Sequence, residues 1–181
     1  MALSIHNQLD QFVSDFISLH QTGDKELLTE YDSQWLSPCY LASANEGDLV
    51  RWLPCRQRDN HSFDNVETAL NISLNQEYCE FFTRYYSNNL PAVAKQGQCE
   101  LLQVWNSDDF ERLQQNLIGH LLMKQRLKQT PTLFFALTNE EDFILSVQND
   151  TGEVVLEQVG RPPQEIIAPN LSAFIASLNP Q

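Results

Sequence analysis

The chain reads as one α+β (mixed α/β) domain over residues 1–181, a mainly antiparallel sheet with helices packed on it, and three features predict that class. Helical stripes and short alternating strands interleave along 181 residues, a length that suits a single domain. Hydrophobic residues make up 42% and aromatic residues 10%, a composition that folds around a core. Two hairpins are predicted, at Gly97 and at Gly152, which means antiparallel pairing.

Residues 3–20 form the first amphipathic pattern, with Leu9, Phe12, Val13, Phe16, Ile17 and His20 on one face and Asp10, Gln11, Asp15 and Ser18 toward water. Gly23 and Asp24 end that helix, and residues 26–30 read as one further helical turn. Residues 37–42 and 49–53 predict two short strands joined through the turn residues 45–48. Residues 54–62, which hold Arg56, Arg58, Asp59 and His61, read as an exposed polar loop. Ser62 or Asp64 can cap a helix through Val66, Ala69 and Leu70. Residues 75–86 continue with Tyr78, Phe81, Phe82 and Tyr85 at helical spacing, so two short helices follow in tandem. Residues 92–95 and 100–105 bracket Gln96, Gly97 and Gln98, a hairpin with glycine at its turn.

The central segment carries the clearest pattern. Ser107 is placed to cap a helix, with Asp108, Asp109 and Glu111 at the positive end of its dipole and Lys124, Arg126 and Lys128 at the negative end. Phe110, Leu113, Leu117, Ile118, Leu121 and Leu122 lay an apolar stripe along it. Gly119 costs such a helix about 1 kcal/mol against alanine, which predicts another segment crossing close by. Pro131 stops the helix, and residues 133–137 are apolar on both faces, as in an inner strand covered from two sides. Residues 143–147 and 154–159 flank a turn at 149–152 and make a second hairpin. Arg161, Pro162 and Pro163 form a rigid connector, and Asn170 caps a closing helix with Leu171, Phe174, Ile175 and Leu178 inward.

Composition narrows the function. The longest wholly apolar run is the five residues 133–137, well short of the roughly 20 that span a bilayer. The first basic residue is Lys25, so the start has no signal-peptide pattern and a cytoplasmic protein is expected. Cys39, Cys55, Cys79 and Cys99 lie 16, 24 and 20 residues apart with no histidine at ligand spacing, as reduced, buried thiols do. Net charge is −13, and the first 50 residues hold eight acids against Lys25 alone. Such a surface repels nucleic acid and anionic lipid and attracts basic partners.

Chemistry has few candidates. The patterns GxGxxG, GxxxxGK[ST], HExxH and GxSxG are absent from the sequence. Asp108 and Asp109 point apart on a helix, and Glu140, Glu141 and Asp142 read as a solvated turn, so neither set predicts a metal site. His120 borders the apolar stripe and reads as a hydrogen-bonded residue at the core edge, with a hydrolase using it and a nearby acid as the competing reading. No catalytic residue, metal ligand or cofactor is predicted, which leaves binding.

Several motifs together resemble one family. They are Ser37-Pro38-Cys39, Val50-Arg51-Trp52-Leu53-Pro54 and Asn65-Val66-Glu67, and above all the run from Leu102 to Phe110 and on through Asn116 to Leu122. Lys124 to Lys128, Pro131 to Phe134 and Ser146 to Glu153 extend the likeness. The chain in this respect is similar to the Syd family of gamma-proteobacteria, the SecY-interacting proteins. That resemblance implies a SUKH-like fold without catalytic activity. It also implies a cytoplasmic protein, peripheral on the inner membrane, that binds the cytoplasmic loops of the channel SecY and surveys or modulates its complexes. The SUKH superfamily includes toxin-neutralising immunity proteins, which is the alternative function.

The charge and the resemblance converge, because cytoplasmic loops of inner-membrane proteins are rich in lysine and arginine. An acidic domain is steered to them without nucleic acid or lipid insertion, here as a monomer. The expected contacts are Glu67, Glu77, Glu80, Glu100, Asp108 and Asp109, acids flanking the tandem helices and the start of the central helix, on a concave face.

Overall fold

A computed structural model describes residues 3–22 and 25–181. The first part of the chain gives helix α1 (Ile5–Thr22), then strands β1 (Leu28–Glu30), β2 (Leu49–Arg51) and β3 (Cys55–Arg56). Next come α2 (Asp64–Leu70), α3 (Gln76–Phe82) and strands β4 (Tyr85–Tyr86), β5 (Leu90–Ala94) and β6 (Gly97–Leu101). The long helix α4 (Ser107–Arg126) is followed by β7 (Thr132–Thr138), β8 (Phe143–Gln148), β9 (Val154–Gln158), β10 (Glu165–Ala168), α5 (Leu171–Ala176) and β11 (Asn179–Pro180). The predicted α+β class holds.

Seven strands build the main sheet in the order β10-β9-β8-β7-β6-β5-β11, and every neighbouring pair is antiparallel. The predicted inner strand is the middle one, β7. Successive side chains of a strand point to opposite faces, and two adjacent phenylalanines of β7 show what covers each. Phe134 meets His120 of α4 edge-to-face at 5.4 Å. Phe135 meets Phe81 of α3 and Phe174 of α5. Helix α4 therefore lies on one face, and α3 and α5 lie on the other, where α1 packs against both.

Helix α4 buries Phe110, Leu113, Leu117 and Leu121, and Ile118 packs beside them. Leu122 is 43% exposed, because it falls one residue past the buried row. The next position on that row is Lys124, three residues after Leu121, so the helix carries an ammonium into the core. The cap also differs from expectation. Asn106 is the N-cap and its side chain accepts from the Asp109 N–H at 2.8 Å, whereas Ser107 is already the first helical residue. Gly119 is exposed and a Cβ built there meets nothing within 4 Å, so among the described residues no segment crosses close to it.

Elsewhere, short pieces depart from the sequence reading. The expected helical turn at 26–30 is strand β1, paired with β2. Residues 37–42 contribute only the bridge Tyr40–Trp52, with Leu41 N–H donating to the Arg51 carbonyl and Leu53 N–H to the Cys39 carbonyl on the edge opposite β1. The loop 54–62 includes strand β3, which pairs with β4, and α3 accordingly ends at Phe82 so that Tyr85 and Tyr86 can be strand. Asp10 does not simply face water: its carboxylate accepts from Arg84 Nε at 3.0 Å and the Tyr85 hydroxyl at 2.8 Å. The Arg84 guanidinium holds that carboxyl below the usual carboxylate range. The residues expected to end α1, Gly23 and Asp24, lie outside the described residues.

Both predicted hairpins form. In the first, Ala94 faces Gly97 across a two-residue turn, and Gly97 has φ 139°, a value that suits glycine. In the second, β8 and β9 pair from Val147–Val154 to Phe143–Gln158. Asn170 caps α5 as expected, its side chain accepting from the Ala173 N–H at 2.8 Å.

Candidate functional site

The start of α4 is tied to the loop before β2 by two long-range bonds. Ser37 Oγ donates to the Trp105 carbonyl at 2.6 Å, and Asn106 Nδ2 donates to the Leu36 carbonyl at 2.9 Å. Between these segments opens a cleft of about 350 Å3. Ser33, Gln34, Leu36 and Pro38 of that loop line it together with Asp59, Tyr86 and residues 106–108. The segments Ser37-Pro38-Cys39 and Asn106-Ser107-Asp108 thus meet at one opening, although 70 residues separate Leu36 from Asn106.

A hydrogen-bonded cluster forms the wall. The Tyr86 hydroxyl donates to Asp59 Oδ2 at 2.6 Å, so its oxygen accepts from His61 Nε2 at 2.7 Å. Ser107 Oγ lies 3.1 Å from both the Tyr86 oxygen and His61 Nε2. Burial and the Asp59 carboxylate push the Tyr86 hydroxyl up to about 12. His61 stacks on Phe110 of α4 at 4.8 Å, which fixes the ring. Serine, histidine and aspartate are close here, yet the geometry is not that of a nucleophilic triad. A triad sets the serine and the acid on different ring nitrogens, whereas Ser107, Tyr86 and Asp59 all crowd Nε2, which carries the donated proton. The cluster positions Asp59; it does not activate Ser107.

The cleft is negative. Asp59 is 58% exposed and Asp108 is exposed, and among the described residues no lysine or arginine lines the opening. From Asp59 the chain runs through His61 into α2. There Asp64 and Glu67, together with Glu80 of α3, are close enough to Cys79 to act on its thiol. Burial first, then those three carboxylates, push it up to about 12.

The six acids named from the sequence are not equivalent. Asp108 lines the cleft. Glu67 and Glu80 lie on the tandem helices, Glu67 accepting from the Leu74 N–H at 2.8 Å and Glu80 from Gln76 Nε2 at 2.8 Å, with His6 of α1 3.8 Å from Glu80. Asp109 accepts from the Trp105 N–H at 2.7 Å and completes the reciprocal cap of α4. Glu77 accepts from the Leu171 and Ser172 N–H groups and the Ser172 hydroxyl, pinning α3 to α5. Glu100 stands on β6, in register with Leu137 of β7, and not on the helices that carry the others. Asp59 and Asp64 were missed. Asp59 falls in the stretch 54–62 that reads as an exposed polar loop, and Asp64 reads only as a helix cap.

His120 is nearly buried, its side chain 9% exposed. Its Nε2 sits 2.9 Å from Thr132 Oγ1 and 3.6 Å from Glu157 Oε1. That places it in the core-edge role expected of it.

The chain matches the family described as Syd protein (SUKH-2) over residues 6–180. A protein named Protein Syd from Alteromonas mediterranea is 60% identical over 180 residues, 99% of this chain and 98% of the relative. Another Protein Syd, from Pseudoalteromonas atlantica, is 41% identical over 182 residues, 99% of this chain and 98% of that relative. One from Colwellia psychrerythraea is 46% identical over 157 residues, 82% of this chain and 78% of that relative. Family match and near full-length identity agree: the chain belongs to the Syd protein family.

Proposed function

We propose that this domain binds the basic cytoplasmic loops of SecY through the acidic cleft at the start of α4, and by doing so monitors or modulates the integrity of the channel complex. The observation that carries this reading is the cleft itself: two carboxylates, Asp59 and Asp108, face one opening that, among the described residues, no cationic side chain lines. A lysine from a loop fits that chemistry. Its ammonium meets Asp59 and Asp108, and its methylene stem lies along Leu36 and Pro38. Asp64, Glu67 and Glu80 extend the negative surface along α2 and α3 and take further cations of the same loop. Glu77, Glu100 and Asp109 belong to the long-range field that steers the loop in.

The domain acts as a monomer, without cofactor or nucleic acid, and reaches the cytoplasmic face of the inner membrane through SecY. No helix among the described residues is long and apolar enough to cross a membrane. The net charge of −13 opposes contact with anionic headgroups, so tethering to the loops is the favoured route. The role is binding: the serine beside His61 lacks a free base.

Capture of detergent-solubilised SecY by the immobilised protein tests this across a salt series. Exposed charge pairs are screened beyond roughly 8 Å at physiological ionic strength. Capture therefore falls steadily from low to high salt, and capture that ignores salt contradicts the proposal.

A further inference from the structure

A second opening lies on the α5 face of the sheet. Pairing puts Leu145, Leu156 and Glu165 in one row across β8, β9 and β10, on the face opposite α4. Phe143 shares the face of Leu145, being two residues away on β8. With Ile167 and Phe174 these side chains enclose a cavity of about 290 Å3 beside the β5–β6 turn. Its lining is apolar apart from a polar rim, and that rim holds two carboxylates, Glu140 and Glu165.

Glu165 stands where the row would otherwise continue with an apolar residue. Among the described residues neither Glu140 nor Glu165 has an ion-pair partner, and the lining holds no lysine, arginine or histidine. Apolar walls select an apolar group, and unpaired rim carboxylates select cations beside it. The strongly negative chain adds to that preference at longer range.

We infer that this cavity is an anchor pocket for one bulky apolar side chain of a partner polypeptide, flanked in the partner by lysine or arginine that meets Glu140 and Glu165. None of its lining residues belongs to the cleft at the start of α4. The anchor pocket thus goes beyond the proposed lysine contact, and either can fail without the other.

The test is titration of the 15N-labelled full chain with three capped tripeptides: lysine-phenylalanine-lysine, lysine-alanine-lysine and glutamate-phenylalanine-glutamate. The first shifts the amides of residues 94–99, 138–145 and 165–167. Removing the ring weakens binding at those amides about tenfold or more, the value of burying an aromatic side chain. The glutamate peptide binds there no better than the alanine one. Glu140→Gln with Glu165→Gln keeps the shape and removes the preference for lysine over glutamate. Ala94→Leu, which adds volume to the wall, abolishes the shifts. Equal binding of the phenylalanine and alanine peptides overturns the inference. So do shifts confined to other residues, or a lysine preference that survives the glutamine pair.

Discussion

Lys124 Nζ lies 3.0 Å from Glu157 Oε2, with the two side chains 1% and 0% exposed. The ammonium also donates to Gln129 Oε1 at 3.1 Å and to the Arg161 carbonyl at 2.9 Å, so all three of its protons are used. Glu157 Oε1 accepts from Thr132 Oγ1 at 2.9 Å and Ser146 Oγ at 3.1 Å. Helix α4 is thereby locked to the middle of the sheet by a network inside an otherwise apolar interface. Removing one partner strands the other charge. Lys124→Met is expected to cost about 3–5 kcal/mol in urea unfolding, and the double change Lys124→Met, Glu157→Leu to recover most of it. A single variant as stable as the parent would show that the pair is not confined.

His120 touches the same network and makes stability depend on pH. Burial, aided by the Lys124 ammonium, lowers its folded-state value from the ordinary 6.5, while Glu157 pulls the other way. The unfolded chain then binds the proton more readily than the folded one. Stability is complete above about 6.5 and declines as pH falls below it. Urea midpoints measured from pH 7.5 to 5 should drop for the parent, and the His120→Gln variant should lack that part of the drop. Identical profiles would mean that the imidazole titrates as it does in the unfolded chain.

Gly119 offers a gain. It lies in mid-helix, is exposed, and leaves open space where a Cβ would sit. Gly119→Ala should stabilise the fold by about 1 kcal/mol, read as a raised urea midpoint with an unchanged slope. A loss of stability would place a neighbouring segment closer than it is.

Periodicity made α4, α1, α5 and both hairpins legible, because each repeats its pattern over enough residues to be read locally. Strands β1, β10 and β11 were not, since strands of two to four residues acquire their identity from the neighbour that pairs with them. Glu157 was hidden for a similar reason. On β9 an acid between Leu156 and Gln158 looks like ordinary outward alternation, and only α4, closing over that face, turns outside into inside. The cleft was half visible. Asp108 stood out at a helix start, whereas Asp59 needed Tyr86, 27 residues further on, to hold it in place.

The reading of this protein as a receptor for basic loops is tested most directly by the affinity of solubilised SecY for the parent and for the Asp59→Asn, Asp108→Asn double variant. The comparison is made at low salt and again at physiological ionic strength, with circular dichroism confirming the fold. Loss of both carboxylates is expected to weaken binding about tenfold or more at low salt and to flatten its salt dependence. A double variant that binds as tightly as the parent, with the same salt dependence, would contradict the account.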